Sequence, residues 1–436
     1  MIIPTEIMPD TKEQAMIWRY QIQRKLWDER LDLILDIGEQ MMLSGAEVSR
    51  VEDSVNRLCI AYGADHAEVL SITTSLIVTV YMKEYGSITQ TRRTTHFVSD
   101  MNRLDKMNAL SRHICEKHLS LEEARREYDD IIKERPYRFL LRIVFYIIVA
   151  FSFALFFGGD FTDAAVSGAI AVAFCFFDYF ATRFGVNNLL SIFIMSLVGG
   201  FLASASVEMG LAHSISKVSI GDVMILIPGI VLTNSMRDMF GGDTITGGIR
   251  FIEALLTAAT IAFGFTTSQL MFNELIGHAV VSTERNWPLW CGVVTEIVTA
   301  FWGSFGYASL FNVRGNRIIP AGVGGALAWV IYLIAASFAA SFPIRFVFAA
   351  VGATFYAEIM ARKLKAPATI FLVSAIMPLV PGGSLYETMS FAVRKDLTSF
   401  ETMGIKTLAT ALSIAVGMLV TASVRKVFAR VKNKKS

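Results

Sequence analysis

ILIPGIVLTNSMRD at residues 225–238 and IMPLVPGGSLYETMS at residues 376–390 are apolar stretches, each interrupted by a Pro-Gly pair. Written one above the other, residues 227–264 and 380–417 align without a gap at an offset of 153, with twelve identities in 38 positions. Apolar segments match by chance more readily than mixed ones. The Pro228/Pro381, Gly229/Gly382 and Asp243/Asp396 pairs therefore carry more weight than Leu232/Leu385, Met236/Met389 or Gly264/Gly417. Val198-Gly199 and Val351-Gly352 extend the same offset backwards.

Outward from these stretches the chain is apolar from Phe139 to Val424. Ten spans are expected, over 139–158, 163–182, 188–209, 219–236, 246–265, 289–311, 318–340, 343–361, 367–390 and 403–424. About 20 apolar residues cross a bilayer, so each half of the repeat holds five crossings. Five is odd, and the second half enters the membrane from the opposite side. The expectation is a 5+5 inverted repeat, the plan of secondary transporters, in which substrate sits near the midplane at the repeat interface. Proline removes a backbone donor and glycine loosens the chain, leaving polar backbone groups for a ligand to meet. A kink satisfied by nearby Ser or Thr is the simpler reading of one such break; two at matching places favour a site.

Composition agrees. Of 436 residues 53% are hydrophobic and 18% charged, against about 25% charged in soluble domains. A net charge of +2 offers no basic surplus for nucleic acid. The charges are uneven: 19 of the 40 Lys and Arg and 23 of the 38 Asp and Glu lie in residues 1–138. The chain reads as a leader (1–25), a polar domain (26–138), a first membrane repeat (139–265), a linker (266–288), a second repeat (289–424) and a basic tail (425–436). The leader has neither the basic region nor the apolar core of a signal peptide. With the amino terminus inside, inner loops and tail carry fourteen Lys and Arg and the outer loops six. The positive-inside rule then places both termini in the cytoplasm; the loop from Arg394 to Lys406 dissents.

The polar domain reads as α+β. Residues 26–44 and 46–63 carry apolar positions at helical spacing; HAEVLSIT, SLIVTVYMK and SITQTRR read as strands, and two helices follow, the last opened by a Ser120/Glu123 capping box. Cys59, Cys115, Cys175 and Cys291 show no C-x-x-C spacing, and His113 and His118 are five apart, so neither disulfide nor metal nor other cofactor is expected.

Six residues beyond each break proline, Asn234 aligns with Glu387, and both are candidate substrate contacts alongside Pro228, Gly229, Pro381, Gly382 and Gly383. Asp178, Glu253, Glu296 and Glu358 fall inside spans and are candidate proton carriers, since intramembrane carboxylates are functional candidates by default. Arg250, three residues before Glu253, is a candidate partner for it. Structural hydrogen bonding is the alternative for each.

IGEQMMLSGAEVSRVEDSVNRLCIAYG at residues 37–63, together with the two Pro-Gly breaks, resembles the threonine/serine exporter family (ThrE type) over Leu31 to Val424. The resemblance implies a cytoplasmic domain joined to two five-helix modules in one chain: a cell-membrane antiporter exporting small hydroxy amino acids in exchange for protons. Other members of this architecture handle other small organic substrates. Within SGAEVSRVE, Gly45 makes a turn while Arg50 and Glu52 are expected on a solvated face. The rival reading is a membrane-anchored hydrolase using Ser44, Ser71 or Ser75 with His66, although no G-x-S-x-G elbow is present. No G-x-x-x-x-G-K-[ST] phosphate loop supports ATP-driven transport, and a channel is permitted by the same repeat. The partners implied are a threonine- or serine-like small molecule, protons and the lipid bilayer. Gly199, Gly200, Gly322, Gly324, Gly325 and Gly352 suit close helix packing within one chain or in a homo-oligomer.

Overall fold

The computed structural model describes residues 12–433 apart from 73, 95–99, 277–288 and 339, so the expected leader and linker lie partly outside the described residues. Two compact units are present, residues 1–135 and 136–436.

The first unit runs α1 (Lys12–Leu43), α2 (Val48–Ala61), β1 (His66–Ile72), β2 (Ser75–Met82), β3 (Gly86–Arg93), α3 (Met101–Lys117) and α4 (Leu121–Lys133). The strands form an antiparallel sheet in the order β1-β2-β3, with His66 opposite Tyr81 and Ser75 opposite Arg93. Alternation along β2 buries Leu76, Val78, Val80 and Met82, the period-two signature of a sheet with one covered face. The residues of α1 and α2 that complete this core include Ile34, Ile37, Val51, Val55 and Leu58. Gly38 marks their closest approach: a Cβ there would lie 2.6 Å from Leu76 Cδ2 and 2.8 Å from Val55 Cγ2. Asp36 accepts from Arg92 of β3 at 2.9 Å and from Arg125 of α4 at 2.5 Å, tying three elements together. The Ser120/Glu123 capping box is formed.

Gly45 turns α1 into α2 at φ +93°, a conformation that glycine adopts without steric penalty. Glu52 is not simply solvated, because its Oε1 accepts the Ser71 amide of β1 at 2.9 Å. That bond gives the glutamate of the SGAEVSRVE string a structural task, holding α2 against the sheet.

Among the described residues the second unit forms helices without strands: α5 (Phe139–Phe156), α6 (Phe161–Phe184), α7 (Asn188–Glu208), α8 (Ile215–Leu226), α9 (Gly229–Gly241), α10 (Thr244–Leu275), α11 (Leu289–Leu310), α12 (Ile318–Ser337), α13 (Phe342–Leu364), α14 (Ala368–Ala375), α15 (Gly382–Val393) and α16 (Leu397–Asn433). Among the described residues seven helices are long and apolar enough to cross a membrane, and eight if a pair bent by 54° around Val380-Pro381 is one span. The ten expected crossings are therefore not reproduced as ten long helices. At 12 and 13 residues, α8 and α9 are each too short to span alone, and α11, 22 residues long with Glu296 in it, lies outside that count. Large apolar side chains face outward along these helices, among them Leu140, Phe184, Phe338 and Phe355. Water would penalise such a surface and lipid does not.

Helix neighbours in the two halves correspond. α5 packs on α6 and α8, and α11 on α12 and α14; α7 packs on α10, and α13 on α16. Gly264 of α10 lies so close to α7 that a Cβ would sit 2.6 Å from Ser196 Cβ and 2.9 Å from the Phe193 carbonyl oxygen. For Gly417 of α16 the corresponding distances, to Ala350 Cβ and the Val347 oxygen of α13, are both 2.7 Å. These contacted residues are 154 apart, one more than the 153 that separates the two glycines. Between the halves α5 packs on α11, α9 on α16 and α15 on α10. Leu232, Ala258, Leu385 and Ala411, two of the matched pairs, share one buried cluster with Ala254, and Met236 and Met389 pack against it. At Gly199, Gly200, Gly322, Gly324, Gly325 and Gly352 an added Cβ would meet atoms of other helices of this chain.

Candidate functional site

Each break is a helix end inside the apolar unit. Ile227 leaves α8 with an extended backbone (ψ 135°) and Pro228 is the N-cap of α9, as expected for a residue preceding proline. Proline cannot donate to the carbonyl four residues earlier, that of Met224. The Tyr307 hydroxyl of α11 donates to this carbonyl instead. In the second break Pro381 is the N-cap of α15, and the Leu385 amide donates to its carbonyl at 2.9 Å, as the Leu232 amide does to that of Pro228. Neither proline supplies a side-chain cap. The first-turn amides of α9 and α15 therefore lack intrahelical acceptors and make the positive ends of two helix dipoles. The breaks touch: a Cβ on Gly382 would lie 2.9 Å from Met224 Sδ and 3.0 Å from Ile227 Cγ2. Pro381, Gly382 and Gly383 are buried, and Pro228 half-buried.

A cavity of about 370 Å³ with a mixed polar and apolar wall opens beside α15. Its wall takes Ser204 from α7, Ser216 and Ser219 from α8, Gln269 and Asn273 from α10, and Tyr386, Glu387, Ser390 and Arg394 from the α15 end. The first three helices belong to one half and α15 to the other. Two lining hydroxyls, those of Ser204 and Ser219, are buried without a hydrogen-bond partner. Such groups cost about 1–3 kcal/mol each, a cost that a polar ligand in the cavity would relieve. Arg394 donates to Gln269 Oε1 at 2.8 Å, and Lys217 and Lys406 are the cations close enough to act on Glu387. The cavity lies where α7 ends, α8 begins, and α10 and α15 end. For alternating spans this is the membrane face opposite the start of α5.

Of the expected contacts, the structure brings Glu387 to the cavity wall. Asn234, half-buried on α9, is not among the lining residues. The wall residues that sequence reasoning missed come from four helices distant in the chain, and only Arg394 left a signal, as one of the cations of the loop, Arg394 to Lys406, that dissents from the charge rule.

The expected proton carriers meet different surroundings. Asp178 accepts from Arg142 at 2.7 Å and from the Tyr146 hydroxyl at 3.1 Å. Glu296 accepts from the Trp329 indole at 2.9 Å, and Glu358 lies 3.9 Å from Arg362. Glu253 is exposed on α10. Arg250 does not pair with it but with Asp238 of α9 at 2.6 Å, because α9 folds back along α10 and brings a residue twelve positions earlier nearer than one three positions later.

At that same membrane face Asp160, Asp163 and His213 cluster within 4.8 Å. Their bonds are to one another, to the Thr162 hydroxyl and to the backbone: Asp160 Oδ2 meets His213 Nδ1 at 2.6 Å, Asp160 Oδ1 accepts from the Thr162 hydroxyl at 2.6 Å, and Asp163 Oδ1 accepts the His213 and Ser214 amides. The cluster starts α6 and α8. In the first unit Ser71 is buried with its hydroxyl on Met42 Sδ, whereas His66 is on the opposite face of β1, stacked on Tyr81. Ser75 is at the other end of that sheet from His66, and Ser44 is buried at the end of α1. Burial pushes the Cys59 thiol up to about 12, away from a reactive thiolate.

A family model described as "Putative threonine/serine exporter" matches residues 32–272, and one described as "Threonine/Serine exporter, ThrE" matches residues 296–424. The "Threonine/serine exporter" of Corynebacterium glutamicum is 23% identical over 416 residues, covering 89% of this chain and 81% of that protein. A Mycobacterium tuberculosis protein named "Probable threonine/serine exporter" is 21% identical, with 89% and 75% covered. The "Probable succinate transporter subunit YjjP" of Klebsiella aerogenes is 24% identical over 58% of this chain and 92% of its own length. No solved structure matches. Multiple apolar helices, a cavity between the two halves and these matches make the chain a multi-pass membrane transporter rather than an enzyme, and it belongs to the threonine/serine exporter family.

Proposed function

We propose that the chain exports threonine, serine or closely similar zwitterions across the cell membrane, in exchange for protons, by rocking two inverted five-helix repeats about the paired breaks. The observation that carries the reading is the cavity, in which a carboxylate, a guanidinium and two unpartnered hydroxyls line one space of about 370 Å³. Arg394 suits the substrate carboxylate and Glu387 its ammonium. Ser204 and Ser219 suit the substrate hydroxyl, because a site built to hydrogen-bond a hydroxyl rejects analogues lacking one. Corresponding neighbours in the two halves and the equivalent contacts of Gly264 and Gly417 support the inverted repeat. The paired breaks support a midplane hinge, with Pro228, Gly229, Pro381, Gly382 and Gly383 supplying backbone polarity and Asn234 lying one turn or more beyond. The loop charges support cytoplasmic termini.

In the conformation seen here the cavity would be the outward exit, and rocking would open the site to the other side. The test is efflux of labelled threonine and serine from proteoliposomes holding the full chain, with and without a pH gradient. Saturable, gradient-dependent efflux is expected; non-saturable flux would mean a channel. Arg394, with Lys217 and Lys406 near Glu387, also suits a dicarboxylate, and labelled succinate in the same assay separates the two substrate classes.

A further inference from the structure

One carboxylate in the helical unit was not singled out from the sequence and is placed unlike the rest. Asp222 of α8 is completely buried. Its Oδ1 accepts from the Ser167 hydroxyl of α6 at 2.8 Å, and its Oδ2 has no hydrogen-bond partner. The neighbouring Gly221 presses the helix onto α5 and α6 so tightly that a Cβ would lie 2.5 Å from Ser167 Oγ and 2.8 Å from the Ala150 carbonyl oxygen. Asp222 cannot swing away to water. Ser219, three residues earlier on the same helix, lines the cavity with its own hydroxyl unpartnered, which places Asp222 one turn deeper than the cavity wall.

The ionisable groups on the elements packed against α8 are engaged elsewhere or open to the surface. On α5, Arg142 and Tyr146 bond Asp178 of α6. On α6, Asp163 is taken by backbone amides and Arg183 is exposed beside Tyr179, while Cys175 is buried. Glu208 of α7 is exposed, Tyr386 and Glu387 of α15 line the cavity, and Lys217 of α8 donates to the Phe157 carbonyl at 2.8 Å. Among the described residues Asp222 is thus a buried carboxyl whose one recorded partner is a neutral hydroxyl.

We propose that Asp222 carries the exchanged proton, an assignment that rests on reading the chain as a proton-exchanging exporter. An ionised carboxylate buried without a cation is costly, so the group crosses between conformations with a proton on it. From the outer water the proton passes along the cavity and Ser219 to form an O–H bond at Oδ2. After the repeats rock, that bond breaks and the proton enters the water of the opposite side. One proton is taken up and one released, and Asp222 is left as it began.

Two measurements on the full chain in liposomes decide the matter. In pH-difference infrared spectra a protonated-carboxyl C=O band is expected to titrate in the wild type, vanish in Asp222→Asn and persist in Asp222→Glu. In transport, Asp222→Asn is expected to keep exchange of internal labelled threonine for external unlabelled threonine while losing flux driven by a pH gradient. A band that persists in Asp222→Asn, or gradient-driven flux that survives the substitution, overturns the assignment. Were the wild type to move neither threonine nor serine, the substrate reading would fall and the infrared result would still decide whether Asp222 titrates. If Asp222→Asn does not fold, Ser167→Ala replaces it: removing the one hydrogen bond is expected to move the midpoint of the band, and an unmoved midpoint overturns the assignment.

Discussion

Replacing Tyr307 by Phe tests how the first break is tolerated inside an apolar unit. Pro228 leaves the Met224 carbonyl without a helical donor, and the hydroxyl of the buried Tyr307 donates to it. Deleting the hydroxyl strands a buried acceptor, so Tyr307→Phe is expected to cost about 1–3 kcal/mol. Pro228→Ala returns an N–H at position 228 and frees Ile227 from the extended backbone it adopts at ψ 135°, letting the helix close onto the same carbonyl. In that background the hydroxyl is redundant, and the cost of Tyr307→Phe should shrink by about 1–2 kcal/mol, the size of coupling seen between residues sharing one hydrogen-bond network. Equilibrium unfolding of the four proteins in mixed micelles measures the cycle. Additivity within about 0.5 kcal/mol would show that the missing donor of Pro228 is not what Tyr307 answers.

Gly264→Ala and Gly417→Ala should each destabilise by about 1–3 kcal/mol through overpacking, since backbone carbonyls stand 2.9 and 2.7 Å from the added Cβ. Gly248→Ala, which meets nothing within 4 Å, should be neutral or stabilising by up to about 1 kcal/mol, and thermal midpoints compare all three. Glu387→Gln and Arg394→Ala should each abolish substrate efflux at unchanged expression and size-exclusion profile, and unchanged efflux in either would remove that residue from the site. Burial acts to raise the Asp160 carboxyl, but the Thr162 hydroxyl, the Asp163 amide and His213 outweigh it and hold the group below the ordinary carboxylate range. A lowered folded value means that its stabilisation is present above the unfolded pKa of about 3.9 and is lost as pH falls through the folded one. Asp160→Asn should therefore flatten the acid-side fall of the thermal midpoint, and an unchanged slope would refute that role.

How much was legible in advance follows from which forces are local. Helices and strands of the first unit could be placed from periodicity because burial of Leu76, Val78 and Val80 on one face of β2 writes itself into the sequence at period two. The capping box at Ser120 is a contact across three residues and equally local. The breaks could be read because proline and glycine act on their own backbone, and the matched Asp243 and Asp396 both stand at the N-caps of α10 and α16, with the amides of Gly247 and Phe400 on their carbonyls. Partners distant in the chain were not legible. Arg250 chose Asp238 over its neighbour Glu253, Tyr307 reached a carbonyl 83 residues away, and Glu52 found the Ser71 amide of β1. The cavity needed four helices to be assembled before Ser204, Ser219 and Arg394 could share a space, and Asp222 differs from other carboxylates only by what surrounds it. Local chemistry in the sequence thus determined the elements, the breaks and the membrane class. Which polar groups are satisfied and which are left waiting for a ligand or a proton was decided by tertiary packing, because desolvation depends on every atom around a group and not on its place in the chain.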